Sequence, residues 1–158
     1  MEIMDRDPSW AFYPETILEF PEGGLRVDLR SPLSEAVVAE LQGLGLGGRF
    51  AVVTPCDPRG IRAGDDSNAR RVAALRASLR RRGCRFVSVD GVSPDRTHGE
   101  SGFAVDVPLE EAVKLARSLE QSALFWFDGE AFWVIPVLAA GEALRLPRGA
   151  ERGTSRRG

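Results

Sequence analysis

FAVVTPCDPRGIRAGDDSNARRVAALRASLRRRGCRFVSV, residues 50–89, decides the fold. Its β-branched opening, residues 50–54, reads as a buried strand, stopped by Pro55 and the turn chemistry of Cys56-Asp57-Pro58. The apolar spacing then turns helical. Asn68, Val72, Leu75 and Leu79 recur on one stripe, Asp65 or Asp66 can cap the start, and Gly83 stands where a helix ends. Residues 84–89 return to a strand pattern. A strand that leads through a helix to a parallel strand forms a right-handed crossover, so both strands finish at the same end of the sheet.

Working downstream, SGFAVDV (101–107) reads as a third strand, and Pro108 opens a helix whose stripe is Leu109, Ala112, Val113, Ala116 and Leu119. SALFWF and AFWVIPV flank Asp128-Gly129, a strong hairpin signal. The first six elements spell an α+β, ferredoxin-like βαββαβ core with an extra C-terminal hairpin strand. Upstream, TILEF and LRVDL can pair around Glu22-Gly23-Gly24, and Ser31-Pro32 opens a short helix carrying Leu33, Val37, Leu41 and Leu44. The expected organisation is an N-terminal strand and helix extension packed on the core (1–48), the core domain (49–138) and a flexible basic tail (139–158). From residue 145 onward that tail holds five arginines against one glutamate.

The composition is that of an ordinary soluble domain: 158 residues, 43% hydrophobic and 28% charged. A net charge of −2 favours neither nucleic acid nor membrane. Twenty of the 21 basic residues are arginine, with Lys114 the exception, a bias that points to GC-rich coding before it points to chemistry. No leader and no apolar run near the ~20 residues of a membrane span occurs, which predicts a cytoplasmic protein without membrane contact. Cys56 and Cys84 fit no metal or redox spacing. The crossover places them at opposite ends of the sheet, so they are expected to be free thiols.

The same topology gathers polar residues at one end. Asp57 follows the first strand, Asn68 and Arg71 open the helix, Asp95 and His98 lie on the long loop 90–100, Glu100 and Ser101 begin the third strand, and Gln121 ends the second helix. Asn68 faces inward on its stripe and must find hydrogen-bond partners.

Three function classes fit. The first is a binding module for a small polar or anionic ligand, with Arg71 supplying charge and Asn68 and Gln121 amide contacts. The second is a hydrolase or transferase in which His98 is a general acid or base tuned by Glu100, two residues along the same strand face. A divalent metal on His98, Glu100, Asp57 or Asp95 belongs with this class, although no metal-ligand or cofactor motif stands out and none is expected. The third is protein or RNA interaction. The RNA reading is weak, because only Phe50 and Phe103 offer aromatics on the central strands. Trp126, Trp133, Phe125, Phe127 and Phe132 crowd the last hairpin, whose edge can support a homodimer. No nucleophile elbow, P-loop or dinucleotide motif occurs, and GLGLGG (43–48) lacks the flanking elements of a phosphate loop.

Together, VVTPCDP, SNARRVAALRASL, PDRTHGES and LARSLEQSALFW resemble a bacterial family known as domain of unknown function 3293. The resemblance covers roughly residues 50–127. It rests on Thr54 and Asp57-Pro58, Asn68 and Arg71, Pro94-Asp95 with His98, Glu100 and Ser101, and Gln121 with Ala123. Asp57 stands where the family tends to have asparagine. The resemblance implies a ligand-contacting set of Thr54, Asp57, Asn68, Arg71, Ser101 and Gln121, with His98 and Glu100 as catalytic candidates. It names no reaction.

Overall fold

β3 (Phe50–Val53) is buried at all four of its positions, as the continuous apolar run predicts. The reason is its place in the middle of the molecule. The computed structural model describes residues 10–149, and the elements after an opening 3-10 turn (Trp10–Glu15) are β1 (Ile17–Phe20), β2 (Leu25–Asp28), α1 (Glu35–Gln42), β3, α2 (Asp65–Arg81), β4 (Phe86–Val92), β5 (Gly99–Val105), α3 (Leu109–Ser118), β6 (Ala123–Phe127), β7 (Phe132–Pro136) and β8 (Leu144–Arg145). The strands make one sheet in the order β2-β1-β4-β5-β3-β6-β7-β8, with every neighbouring pair antiparallel. The fold is therefore mixed α+β. Because β3 and β4 each run antiparallel to β5, they are parallel to one another and finish at the same end, as the crossover requires.

Both faces of the sheet are covered. Val52, Val89, Ala104 and Phe125 pack with Leu41 of α1 and with Phe20, Leu29 and Leu46 in one apolar cluster. Ala51, Val53, Phe103 and Val105, on the alternate positions, pack with Leu75 and Leu79 of α2 and Ala112, Leu115 and Ala116 of α3 in the other. Phe50 and Phe103 are fully buried, so neither offers a stacking platform for bases.

Several boundaries differ from the sequence expectation, some for non-local and some for local reasons. The loop after β4 spans 93–98 rather than 90–100, because β1 pairs with the end of β4 (Ile17 opposite Val92, Glu19 opposite Asp90) and extends it. β1 and β2 thus continue the main sheet. Ser34, not Ser31, caps α1 by accepting the Val37 N–H. Gly64 precedes α2, and Asp65 and Asp66 occupy its first turn, where they complement the helix dipole. Gly83, at φ +70°, closes α2 as expected, with the Cys84 N–H donating back to the Leu79 carbonyl.

The segment expected to begin a loose tail adds β8 to the outer side of β7 and buries Leu146. β7 is consequently not an edge. Phe125, Phe127 and Phe132 are core residues, so the hairpin loses the exposed edge on which the dimer expectation rested. Residues 150–158 of the predicted tail lie outside the described residues.

Candidate functional site

Residues 54–57 leave β3 and turn sharply, and the turn is held by its own Thr54 and by two side chains from distant elements, Asn68 and Gln121. Thr54 Oγ1 accepts the Cys56 N–H (3.1 Å) and donates to the Ser101 carbonyl of β5 (2.8 Å). Gln121, buried beyond the end of α3, donates from Nε2 to the Cys56 carbonyl (3.0 Å). Asn68, in the opening turns of α2, accepts the Asp57 N–H on Oδ1 (3.0 Å) and donates from Nδ2 to Asp57 Oδ1 (2.9 Å). Asp57 itself sits at φ +46°, a left-handed conformation that aspartate and asparagine tolerate better than most residues. The inward-facing amide predicted at position 68 has thus found its partners in the turn.

The turn brings Asp57 against the start of β5. Asp57, His98 and Glu100 each offer a ligand atom, and these three atoms lie within 4.8 Å of one another. His98 Nε2 is 3.6 Å from Glu100 Oε2. Glu100 is partly buried, whereas the imidazole is 61% exposed. Asp57 is 9% exposed. Burial works to raise the Asp57 pKa. Hydrogen bonds from Asn68, the Ala63 N–H and the Glu100 carboxyl, with the nearby His98, outweigh it and hold Asp57 below the ordinary carboxylate range.

The hairpin carrying His98 is tied down on its other side. Asp95 accepts the Thr97 N–H, Ser93 Oγ and Thr97 Oγ1, which hold its pKa down at about 2. All three bonds fall on Oδ1, and Asp95 does not join the converging donor atoms of Asp57, His98 and Glu100, which removes it from the metal-ligand candidates. Arg96 grips Glu19 of β1 with two hydrogen bonds (2.9 and 3.2 Å).

Two cavities flank this cluster. One, of about 110 Å³ and largely apolar, lies under the opening 3-10 turn and is lined by Phe12, Tyr13, Leu18, Val89 and Phe125, with His98 and Glu100 on its wall. The second, of about 430 Å³, opens between α2 and the start of β5 and is lined by Asp65, Asn68, Arg76, Glu100 and Ser101 together with Cys56. Burial pushes the Cys56 thiol pKa up, so Cys56 is a neutral wall, not a nucleophile. Both cysteines are free, as expected.

Arg71 does not join this arrangement: it is exposed and lines neither cavity. The arginine at the site is Arg76, four residues beyond Val72 and itself exposed, which flanks the apolar stripe on the side opposite Arg71. Its guanidinium carbon lies 5.4 Å from the centre of the Phe103 ring, and it has no carboxylate partner among the described residues. A second residue missed by the sequence reading is Gly102. A Cβ there would collide with the Val53 carbonyl oxygen, so only glycine lets β5 approach the end of β3 this closely. A lone glycine in a strand pattern is the signal for such an approach.

Residues 53–124 match the family model described as Protein of unknown function (DUF3293), which supports the resemblance read from the sequence. The matched stretch contains Thr54, Asp57, Asn68, Arg76, His98, Glu100 and Gln121. No curated protein and no solved structure matches the chain. No helix among the described residues is long and apolar enough to cross a membrane.

Proposed function

We propose that the protein binds a small polar molecule carrying an anionic group, in the cavity between α2 and the start of β5. The supporting observation is Arg76, a guanidinium seated over a buried aromatic ring, on the wall of a cavity of about 430 Å³, with no ion-pair partner among the described residues. An arginine so placed is preorganised for a carboxylate or phosphate. Asp65, Glu100 and Ser101 on the same wall suit hydrogen-bond donors elsewhere on the ligand, which favours a mixed-charge molecule over a bare polyanion. Calorimetry and thermal shift against a panel of small carboxylates and phosphate esters test this reading. Arg76→Ala is expected to abolish the response and Arg71→Ala to leave it intact. Equal responses from the two variants would remove the arginine from the site.

The second reading, a hydrolase or transferase, is favoured by a separate observation: an exposed imidazole 3.6 Å from a partly buried carboxyl, with a second carboxyl within 4.8 Å. Paired groups of this kind can take up and release protons beside a bound substrate. Turnover of any ligand found in the panel, lost in His98→Ala with binding retained, is the result that promotes this reading over simple binding. For the fold, the order β4-β5-β3-β6 with α2 and α3 on one face supports a ferredoxin-like core to which β1, β2, β7 and β8 are additions.

A further inference from the structure

Beyond ligand binding, we propose that Asp57, His98 and Glu100 form a site for a divalent first-row transition ion, Zn2+ or Mn2+ in class, at the junction of the two cavities. The three groups come from separate parts of the chain, a turn after β3 and the two sides of the β5 start, and the fold delivers their donor atoms to within 4.8 Å of one another. Donors sharing one ion at ~2.1 Å lie ~3.4 Å apart in a tetrahedral set and up to ~4.2 Å only when trans to one another. The His98–Glu100 distance of 3.6 Å already lies within that range. The other separations are at most 4.8 Å, within the reach of a side-chain rotation.

The ligand set also has the right support and chemistry. Asp57 Oδ1 is fixed by Asn68 Nδ2 and the Ala63 N–H, both at 2.9 Å, which orients the carboxylate without using Oδ2. One imidazole with two carboxylates suits Zn2+, Mn2+ or Fe2+ better than Mg2+ or Ca2+, which favour oxygen alone. Two ionised carboxylates balance the charge of a dication, a partner that also relieves their mutual repulsion. Three protein ligands leave at least one coordination position open, as in catalytic rather than structural metal sites. The cavities supply the room for it. Glu100 lines both and His98 lines one, so a position opposite the ligands looks into free space.

The test uses the full chain after chelator treatment, titrated with ZnCl2 by calorimetry and with MnCl2 by electron paramagnetic resonance. One ion per chain is expected, with affinity reduced at least about tenfold in His98→Ala and in Glu100→Gln. Asp95→Asn, on the same loop, should bind like the wild type. His98 is exposed and, among the described residues, its ring forms an ion pair with Glu100 alone, so its variant reports on the ion without a folding defect. Absence of saturation by about 1 mM, or unchanged binding in His98→Ala, overturns the proposal. Arg76→Ala separates it from the ligand reading. That variant should keep the ion, while anion binding by metal-free wild type tests the cavity alone.

Discussion

Asp57 and Asp128 are two partly buried aspartates, both held below the ordinary carboxylate range against the effect of burial, yet their surroundings differ in kind. Asp128, in the loop between β6 and β7, meets only donors: the Glu130 and Ala131 N–H groups on Oδ1 and the Trp133 indole on Oδ2, all within a few residues. Asp57 also accepts from Asn68 and Ala63, but its remaining neighbours are a second carboxyl and an imidazole. Asp128 does what a stabilising turn residue does. Asp57 sits in an arrangement that stability alone does not call for, and such conflicts collect at functional sites.

The largest effect is expected where the functional end is most tightly built. Gly102→Val should cost about 3 kcal/mol or more in urea denaturation, because the new side chain meets backbone, not a movable side-chain tip. A loss under about 1 kcal/mol would mean that β5 and the Val53–Thr54 segment can separate cheaply.

The two isosteric amides set the aspartates against each other directly. Asp128→Asn places an NH2 group against the Trp133 indole or a backbone N–H and should destabilise by about 1–2 kcal/mol. Asp57→Asn keeps an acceptor for Asn68 and Ala63 and offers a donor to Glu100, so it should be neutral or stabilising by up to about 1 kcal/mol. Equal losses in the two variants would erase the distinction.

Acid titration sharpens the same contrast. A carboxylate whose folded pKa is depressed contributes stability above its unfolded value, ~3.9, and loses it as pH falls through the folded value. Asp28, gripped by Arg30, and Asp95 are both held at about 2, so stability should decline from about pH 4 down to about 2. Asp128→Asn and Asp57→Asn should each shallow that decline, which far-UV circular dichroism against pH would follow. A pH-independent melting temperature across this window would contradict the depressed values. The smallest effect belongs to Arg71→Ala: within about 0.5 kcal/mol of wild type, since the side chain is solvated and outside the site.

Much of the core was legible because it depends on local patterns. The shift from strand to helical spacing at residue 65, the Gly83 stop and the Asp128-Gly129 hairpin each have short-range causes. What was misread had causes distant in sequence. β4 gained length from β1, and β8 formed because β7 had an open side that Leu144 and Arg145 could satisfy, with Leu146 buried beside it. At the site, the convergence of Asp57, Asn68, His98, Glu100 and Gln121 followed from strand direction alone. Roles did not. Sequence cannot separate a side chain that holds the turn, as Thr54, Asn68 and Gln121 do, from one that lines a cavity, as the exposed Arg76 does, because the groups each one meets are distant in sequence.

Glu100 stands on the wall of both cavities, so at this rim a single side chain is the partition between the two faces of the sheet. Compartments divided so thinly share a state. An occupant that turns this carboxyl toward itself withdraws it from the other side, and two guests of opposite preference would compete without ever touching.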